Sequence, residues 1–540
     1  MLEASSKESA DQFEGEPVVL SFGVGFSYQL GLDDSEGHAK RHERDPGALS
    51  ETNGGEERCH AEDPSVRQTL QGSTTKTNVV CASVRLTPTP VPLAKYLQKG
   101  DEPAAIAAGS SHSVLLTTKG KLYRWGLDDG EIFRVPEILL TGVPLQCVAI
   151  SCGRKHTMAL MKGGVVMTWG TGYFGQLGHG DNASYRHPKV LRRLDPQRLR
   201  DPVEQVACGG YHSVALTLSG RVFSWGFNRY GQCGVGSKEN TISEPLPTKL
   251  DRISEDGMGT VTHVVCGRHH SALITSRGGL YTWGGSSFGK LGLPNPEKVV
   301  HTPMEVPFFR TTPVLDVDTG DFHMVALTRQ GSVYSWGYGT EGQGGHGGLL
   351  HMRTPRKVEA LNGIPMAQVV CGPWWSMAVT VDGFCYSWGC ADGGWTGLER
   401  PGVLLRAEPG PAIDSLEETK SFDSGHNVLL PKMVCSLVPY VVKSLACGSG
   451  HTLALAIPRL MSSRTDPVDG EDAGQVRGPH AGPGPPGSGS LEDPNLGQGG
   501  SGLGFGQDPG LYLNSKWSSG VDSNPGHCQV GTSLFASRLP

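Results

Sequence analysis

Large apolar residues alternate with small or polar residues along most of the chain, and the same pattern recurs at intervals. A typical stretch is VACGGYHSVALTLSGRVFSWG (206–226), in which HSVALTL and RVFSW alternate with a period of two. This period is typical of β-strands with one buried face, and the Ser-Gly between the two segments favours a tight hairpin turn. The pattern therefore predicts pairs of short antiparallel strands.

The repeated unit occurs six times in full and once in two halves. The full copies lie at 106–126, 150–170, 206–226, 264–284, 317–337 and 369–389. A half copy, LACGSGHTLALAI (445–457), stops after one strand, and PVVLSFGVGFSYQLG (17–31), near the start of the chain, matches the missing half. Successive Trp-Gly pairs stand 44 to 58 residues apart, which is enough for four short strands per unit.

A split repeat indicates how the array closes. When the last blade takes a strand from the N-terminal end of the chain, no edge is left unpaired at the junction. We therefore predict an all-β fold, a seven-bladed β-propeller over residues 17–458, closed by pairing the N-terminal strand with the last blade. Residues 32–103 and 390–443 are interpreted as insertions, and residues 1–16 and the Gly/Pro/Ser-rich tail 459–540 as disordered.

Charge and composition restrict the class of function. A net charge of −6 gives no bulk attraction to nucleic acid, so we predict no direct DNA binding. No run of 18 apolar residues is present, which predicts no membrane span, and the acidic start MLEASSKESADQFEGEP lacks the apolar core of a secretory signal. Thirteen cysteines without such a signal favour reduced thiols. We expect a monomer of the cytoplasm or nucleus that is not secreted.

The motif G-x-x-H-[ST]-x-A-L, followed by a turn, W-G and G-Q-L-G, resembles the regulator of chromosome condensation repeat family. A clear example runs from Gly209 to Leu216 and from Trp225 to Gly234, and the resemblance covers about 17–31 and 104–457. Members of that family include an exchange factor for the small GTPase Ran that also binds chromatin, a plant ultraviolet-B photoreceptor, ubiquitin-ligase components and membrane-traffic regulators. The resemblance thus implies the fold, and function has to be argued from sites.

The residues between the repeated Gly and His form loops that should gather on one face of the propeller. In the exchange factor, as the resemblance implies, acidic and histidine side chains of these loops face the GTPase. The candidates for contact with a GTPase or another partner that follow by position are Asp321, His112, His156, His212, His270, His323 and His451. Arg154 and Arg268 stand in the same loops and make this face more basic. The alternative is that each histidine hydrogen-bonds to the backbone and holds its blade in register.

The sixth unit departs from the pattern, because CGPWWSM places Trp375 where the other units have histidine, with Trp374 beside it. Adjacent tryptophans are candidates for a binding hot spot, and they could equally plug the channel mouth. The photoreceptor's repeats place tryptophan directly after the glycine, as the resemblance implies. That position here holds Ser110, Arg154, Gly210, Arg268, Asp321, Pro373 and Ser449. Ultraviolet-B sensing is therefore a minor alternative.

No motif for bond-making chemistry or cofactor binding stands out. The G-x-G-x-x-G at Gly170 is not followed by a helix that would direct its N-terminus at a pyrophosphate, and it occupies the same turn as other repeats that lack the pattern. The cysteines that precede the repeated glycines are about one blade apart, unlike clustered zinc ligands: Cys152, Cys208, Cys266, Cys371 and Cys447. We predict no catalytic residue, cofactor or metal.

Two functions remain open at this stage. The first is a protein-interaction propeller that acts as a scaffold or regulator through its loop faces. The second is a guanine-nucleotide exchange factor for a small GTPase, Ran-like or of membrane traffic, which would lend binding energy to the nucleotide-free GTPase. Asp321 favours exchange, whereas the acidic N-terminus and the lack of a match to the exchange factor's β-wedge favour a scaffold.

Overall fold

A computed structural model describes residues 15–25, 28–32, 83–139, 142, 144–236, 243–250, 259–398 and 427–459. These residues form seven four-stranded antiparallel sheets, which confirms the all-β, seven-bladed propeller. The first strands of neighbouring blades contact one another around the ring and surround a central channel. The predicted disordered segments, 1–16 and 459–540, lie outside the described residues except for residues 15, 16 and 459.

In blades 1 to 6 the four strands follow one another in chain order from the channel to the rim. Blades 1 to 3 consist of β3 (Pro103–Ala108), β4 (His112–Thr117), β5 (Leu122–Asp128), β6 (Glu131–Leu139), β7 (Cys147–Cys152), β8 (His156–Met161), β9 (Val165–Gly170), β10 (Tyr185–Val190), β11 (Val203–Cys208), β12 (His212–Thr217), β13 (Val222–Phe227) and β14 (Ser243–Lys249). Blades 4 to 6 consist of β15 (Val261–Cys266), β16 (His270–Thr275), β17 (Leu280–Gly285), β18 (Val299–Glu305), β19 (Val314–Thr319), β20 (His323–Thr328), β21 (Val333–Gly337), β22 (Met352–Lys357), β23 (Met366–Cys371), β24 (Trp375–Thr380), β25 (Cys385–Cys390) and β26 (Asn427–Met433). A four-residue helix, α1 (Pro196–Leu199), precedes blade 3.

Blade 7 joins the two ends of the described chain. Its strand order is β27 (Tyr440–Cys447), β28 (His451–Pro458), β1 (Val18–Gly25) and β2 (Ser83–Pro90). Strand β1 pairs antiparallel with β28, for example through Leu20 opposite Ala454. The ranges interpreted as insertions, 32–103 and 390–443, also supply outer strands, because β2 lies in the first range and β26 in the second.

All but one of the Trp-Gly pairs link their blade to the one before it through the indole nitrogen; Trp169 of blade 2 is the exception. The indole of Trp225 is fully buried, and its Nε1 donates to the carbonyl oxygen of Gln176 in the preceding blade at 2.8 Å. Gly226 adopts φ +103°, and a Cβ at this position would lie 2.6 Å from the carbonyl oxygen of Tyr211. Both the positive φ and the close backbone approach therefore require glycine after the tryptophan.

Blade 1 closes its outer hairpin with two residues in place of the long turn of the other blades. Asp129 and Gly130 both have positive φ, 45° and 84°, as a tight type I′ turn needs. In this hairpin the buried Arg124 pairs with Asp128 at 2.9 Å, and its guanidinium carbon lies 4.0 Å from the centroid of the Phe133 ring. The described part of the chain contains no helix with the length and apolar composition of a membrane span.

Candidate functional site

The repeated histidines lie at the first position of the second strand of their blades, and all of them are buried. Five of them reach a hydroxyl of the next blade. The distances from Nε2 to the hydroxyl oxygen are 2.9 Å (His112 to Thr157), 3.0 Å (His156 to Ser213), 2.7 Å (His212 to Ser271), 2.9 Å (His323 to Ser376) and 2.8 Å (His451 to Ser113). These side chains thus face the neighbouring blade and not the surface.

The hydroxyl fixes the tautomer of the histidine that it meets. Ser271 uses its one hydroxyl proton to donate to the Gln232 carbonyl at 2.9 Å, so Nε2 of His212 must carry the proton that the serine accepts. Burial lowers the pKa of His212 to about 3, which keeps the ring neutral at physiological pH. The histidines therefore act as neutral hydrogen-bonding links between blades.

This series of links is interrupted at two places. Met324 stands in blade 5 where the hydroxyl would be, and neither ring nitrogen of His270 has a hydrogen-bond partner among the described residues. In blade 6 the buried Trp375 replaces histidine and stacks on Trp395, with ring centroids 5.2 Å apart and planes 22° apart. Trp375 also belongs to a buried cluster with Phe22 and Leu445 of blade 7, so it is part of the packing between blades 6 and 7.

The loops after the inner strands bring three of the predicted site residues together at the channel mouth. The Arg268 Nη1 donates to Asp321 Oδ2 at 3.2 Å, and the Arg154 Nη2 lies 3.9 Å from the same oxygen. The two arginines come from blades 2 and 4, whereas Asp321 comes from blade 5. The Asp321 side chain is only 12% exposed, and all three residues line the same pocket at the mouth.

A buried lysine lies beside this cluster. Lys290 is 2% exposed and occupies the turn position that Gln176, Gln232 and Gln343 hold in other blades. Its Nζ lies 4.9 Å from the ring centroid of Phe322. Burial lowers the pKa of Lys290 to about 8, and the nearby Asp321 opposes that shift. In the sequence this residue is marked only by the G-K-L-G that replaces G-Q-L-G, and a single substitution in a turn does not reveal that the side chain is buried.

Aromatic side chains form two groups on the same face, and one ring, that of Phe322, lies close to both Arg268 and Lys290. One group spans blades 2 to 4 and contains Phe174, Tyr211, Phe227, Tyr230 and His269, with Phe174 to Phe227 at 4.8 Å and Tyr230 to His269 at 4.7 Å. The other spans blades 4 to 6 and contains Phe288, Phe322, Tyr338, His351 and Trp374, with Phe288 to Tyr338 at 4.8 Å and Phe322 to Trp374 at 5.4 Å. We call the ten residues the aromatic arc.

The arc is open to solvent at several points. Tyr230 is 39% exposed and Phe288 43% exposed, and Trp374 is half-buried. Trp374 is therefore available on the surface, in contrast to its neighbour Trp375. Sequence reasoning missed most of the arc because its members stand just before the repeated histidine or inside the turn after Trp-Gly, where the repeat sets no residue type.

The cysteines and acidic residues form no metal centre in the part of the chain that the structure describes. No three His, Cys, Asp or Glu side chains are placed there to hold an ion. Burial raises the pKa of Cys447 to about 12 and raises those of Cys152 and Cys371 well above the usual value. These thiols pack at the inner ends of the blades as neutral groups.

The fold and the repeated side chains define a class of proteins: seven-bladed propellers whose blades are joined by His-to-hydroxyl and Trp-to-carbonyl hydrogen bonds. The model of the RCC1-like domain matches residues 14–364, more than half of the chain. The chain belongs to the RCC1-like domain family.

Relatives within the family differ widely in length and in the kind of protein that their names describe. The chain is 34% identical over 308 residues to the ultraviolet-B receptor UVR8 of Arabidopsis thaliana, a match that covers 54% of this chain and 66% of the receptor. It is 30% identical over 364 residues to the human E3 ubiquitin-protein ligase HERC2, covering 65% of this chain and 7% of the ligase. The chain thus spans less than two thirds of these relatives' own lengths.

Solved structures show the same fold at low sequence identity. Human WBSCR16 superposes with a TM-score of 0.61 at 21% identity, covering 82% of this chain and 99% of that one. Yeast RCC1 (Prp20), solved bound to Kap60, superposes with a TM-score of 0.59 at 17% identity, covering 84% and 92%.

Proposed function

We propose that this chain is a protein-interaction propeller that binds a protein partner through the aromatic arc and the channel mouth. The observation that carries the proposal is the partly exposed arc around Arg154, Arg268 and Lys290. Aromatic and arginine side chains are enriched at the energetic centres of protein interfaces, because large rings supply contact area at little entropic cost. The propeller provides a rigid support for these side chains. We place this function in the cytoplasm or nucleus.

The experiment compares two faces of the propeller. The full chain would be used to capture proteins quantitatively from a cell lysate, in its wild-type form and as Phe288→Ala and Trp374→Ala. Leu218→Ala and Val381→Ala are matched controls, since Leu218 and Val381 are 66% and 61% exposed in hairpins on the opposite face. We expect the arc variants to lose about tenfold or more of a specific partner, as hot-spot truncations do. Equal losses in both sets, or none in the arc set, would contradict the proposal.

Nucleotide exchange on a small GTPase is the second candidate, and Asp321 is the observation that favours it. An acidic side chain at the channel mouth is what the family resemblance implies for contact with the GTPase. Prp20 of yeast has been studied for its binding to Gsp1p and histones. In this chain Asp321 already pairs with Arg268 and lies near Arg154, so a GTPase that contacts Asp321 would compete with these arginines for the carboxylate or share it with them.

Exchange is tested directly with the full chain. It would be offered a panel of small GTPases in nucleotide-free and GTP-loaded forms, followed by fluorescent-GDP release on any that bind. Exchange activity requires preferential capture of a nucleotide-free GTPase, faster release of GDP, and loss of both with Asp321→Ala. If the chain binds a GTPase equally well in its nucleotide-free and GTP-loaded forms, exchange is contradicted and the proposal of an interaction propeller stands.

A further inference from the structure

We propose that Arg154 and Arg268 at the channel mouth, with the buried cation of Lys290 near them, form a carboxylate-binding site, which takes an aspartate or glutamate side chain from a peptide segment of the partner. The inference rests on the proposed function and names the chemistry that the face recognises. We call these three residues together with Asp321 the mouth cluster. The mouth cluster contains three cationic groups and one carboxylate, and the Asp321 carboxylate attracts all three cations, so the cluster by itself carries a net positive charge.

The arginine at the centre of the cluster has donors to spare. A guanidinium offers five N–H groups in a planar fork that suits a carboxylate. Arg268 donates Nη1 to Asp321, whereas its buried Nε has no hydrogen-bond partner among the described residues. Nε itself is closed to solvent, but the side chain as a whole is 29% exposed, so an incoming carboxylate has access to its exposed part.

The lysine explains why a second carboxylate would be favourable. Burying a cation costs free energy unless an opposite charge is near. Lys290 replaces the neutral glutamine of other blades, and the charges that act on it are the attractive Asp321 and the repulsive Arg268. The same cations also disfavour protonation of His269, whose pKa lies at about 2 mainly because it is buried. A partner's carboxylate at the mouth would offset this excess.

The surroundings define what flanks the acidic residue. The Phe322 ring lies 4.9 Å from the Lys290 Nζ and 5.8 Å from the Arg268 guanidinium carbon, and it contacts Phe288 and Tyr338 in the arc. An apolar side chain next to the acid would therefore meet these rings. In the free protein the Asp321 carboxylate interacts with these cations. It therefore competes with the partner's carboxylate for the same side chains.

This competition gives the site an unusual signature. If Asp321 itself contacted a partner, Asp321→Asn would weaken binding. If a partner's carboxylate binds the mouth cluster, Asp321→Asn frees Arg268 and should strengthen binding severalfold. Arg268→Gln should weaken it by about tenfold or more, the usual effect of losing a charge-assisted hydrogen bond. Arg277→Gln is the matched charge control, because Arg277 lies exposed in a hairpin on the opposite face.

The probe is a phage-displayed library of random heptapeptides selected on the immobilised full chain. We expect the selected pool to be enriched in Asp or Glu next to an aromatic or aliphatic residue. The most frequent peptide is then synthesised with a fluorophore, in one form as selected and in one with Asn and Gln in place of its acids. Its affinity is measured for the wild type, Asp321→Asn, Arg268→Gln and Arg277→Gln. Thermal unfolding of each variant confirms that it is folded.

The outcomes separate this inference from the proposed function. A pool without excess Asp or Glu, equal binding of the two peptide forms, or weaker binding by Asp321→Asn would overturn the carboxylate site. If neutral peptides are selected and lose affinity with Phe288→Ala, the interaction face stands without the carboxylate site. If acidic peptides bind as expected but Phe288→Ala and Trp374→Ala leave every partner bound, the proposed role of the arc fails while the carboxylate site stands.

Discussion

The His212 Nε2 lies 2.7 Å from the Ser271 Oγ in the next blade, and that hydroxyl in turn donates to the carbonyl oxygen of Gln232. One side chain thus joins two blades and a turn. We expect His212→Ala to lower the free energy of unfolding by about 2–4 kcal/mol, because it leaves a cavity and removes a buried hydrogen bond. Denaturant unfolding measures the loss.

His270→Ala is the matched control for that prediction. His270 is buried in the same way, but neither of its ring nitrogens has a hydrogen-bond partner among the described residues. Its replacement should therefore cost about 1 kcal/mol less than that of His212. If both variants lose the same free energy of unfolding, packing alone sets the contribution of these histidines to stability, and the hydrogen bond to the hydroxyl adds nothing.

The buried histidines should make the propeller sensitive to acid. Burial lowers the pKa of His156, His212, His323 and His451 to about 3, below the unfolded value of 6.5. Between these values the unfolded chain binds more protons than the folded one. The stability that comes from keeping these histidines neutral is thus fully present above pH 6.5 and falls as the pH drops toward 3. Each histidine lowers the free energy of unfolding by up to about 1.4 kcal/mol per pH unit in this range. Urea midpoints at pH 7.5 and 5.5 measure this fall, and His212→Gln should reduce it.

The tryptophans of blades 2 and 3 should differ in their response to the same substitution. The Trp225 Nε1 donates to the carbonyl oxygen of Gln176, which lies in the long turn of blade 2. The Trp169 Nε1 is buried without a hydrogen-bond partner among the described residues, because the preceding blade, blade 1, lacks the long turn that would supply the carbonyl. Trp225→Phe should therefore cost about 1 kcal/mol more than Trp169→Phe. Chemical unfolding of the two variants tests the difference, and a larger loss for Trp169→Phe would contradict it.

Glycines with similar φ should tolerate alanine differently according to their surroundings. A Cβ on Gly226 would approach the Tyr211 carbonyl oxygen at 2.6 Å, whereas a Cβ on Gly236, φ +91°, meets nothing within 4 Å. Both substitutions carry the strain of positive φ, and only the first adds a clash with the backbone. We expect Gly226→Ala to cost at least about 2 kcal/mol more than Gly236→Ala in thermal or denaturant unfolding.

Lys290→Gln should stabilise the propeller. In blade 3 the Gln232 Oε1 accepts a hydrogen bond from the Tyr230 amide at 3.0 Å, an interaction that a lysine cannot offer. The substitution also removes a buried charge, so we expect a gain of about 1 kcal/mol in the free energy of unfolding. The reverse change, Gln232→Lys, should destabilise. A stability loss on Lys290→Gln would mean that the electrostatic attraction between Lys290 and Asp321 outweighs the cost of burying the lysine.

Much of the fold followed from the sequence because its determinants are local. The period-two alternation, the turn residues and the Trp-Gly pairs specify each hairpin within about twenty residues. The split copy predicted closure through β1 and β28. The outer strands β2 and β26 were not recognised, because a strand at the rim buries one side only partly and has weak alternation; SVRLTPTP and NVLLPKM show little of it.

The candidate site depended on the tertiary structure. The sequence marked His212, Arg268 and Asp321 alike as loop-face candidates, since position in a repeat does not reveal where a side chain points. Folding buried the histidine against Ser271 and left the arginine partly exposed beside Asp321. Arg154 meets Asp321 from 167 residues away along the chain, because ring closure brings the loops of different blades to one channel mouth. The repeated sequence pattern thus determined the propeller fold. Only the tertiary structure, which brings the loops of different blades to one channel mouth, decided which charged and aromatic side chains lie at the surface.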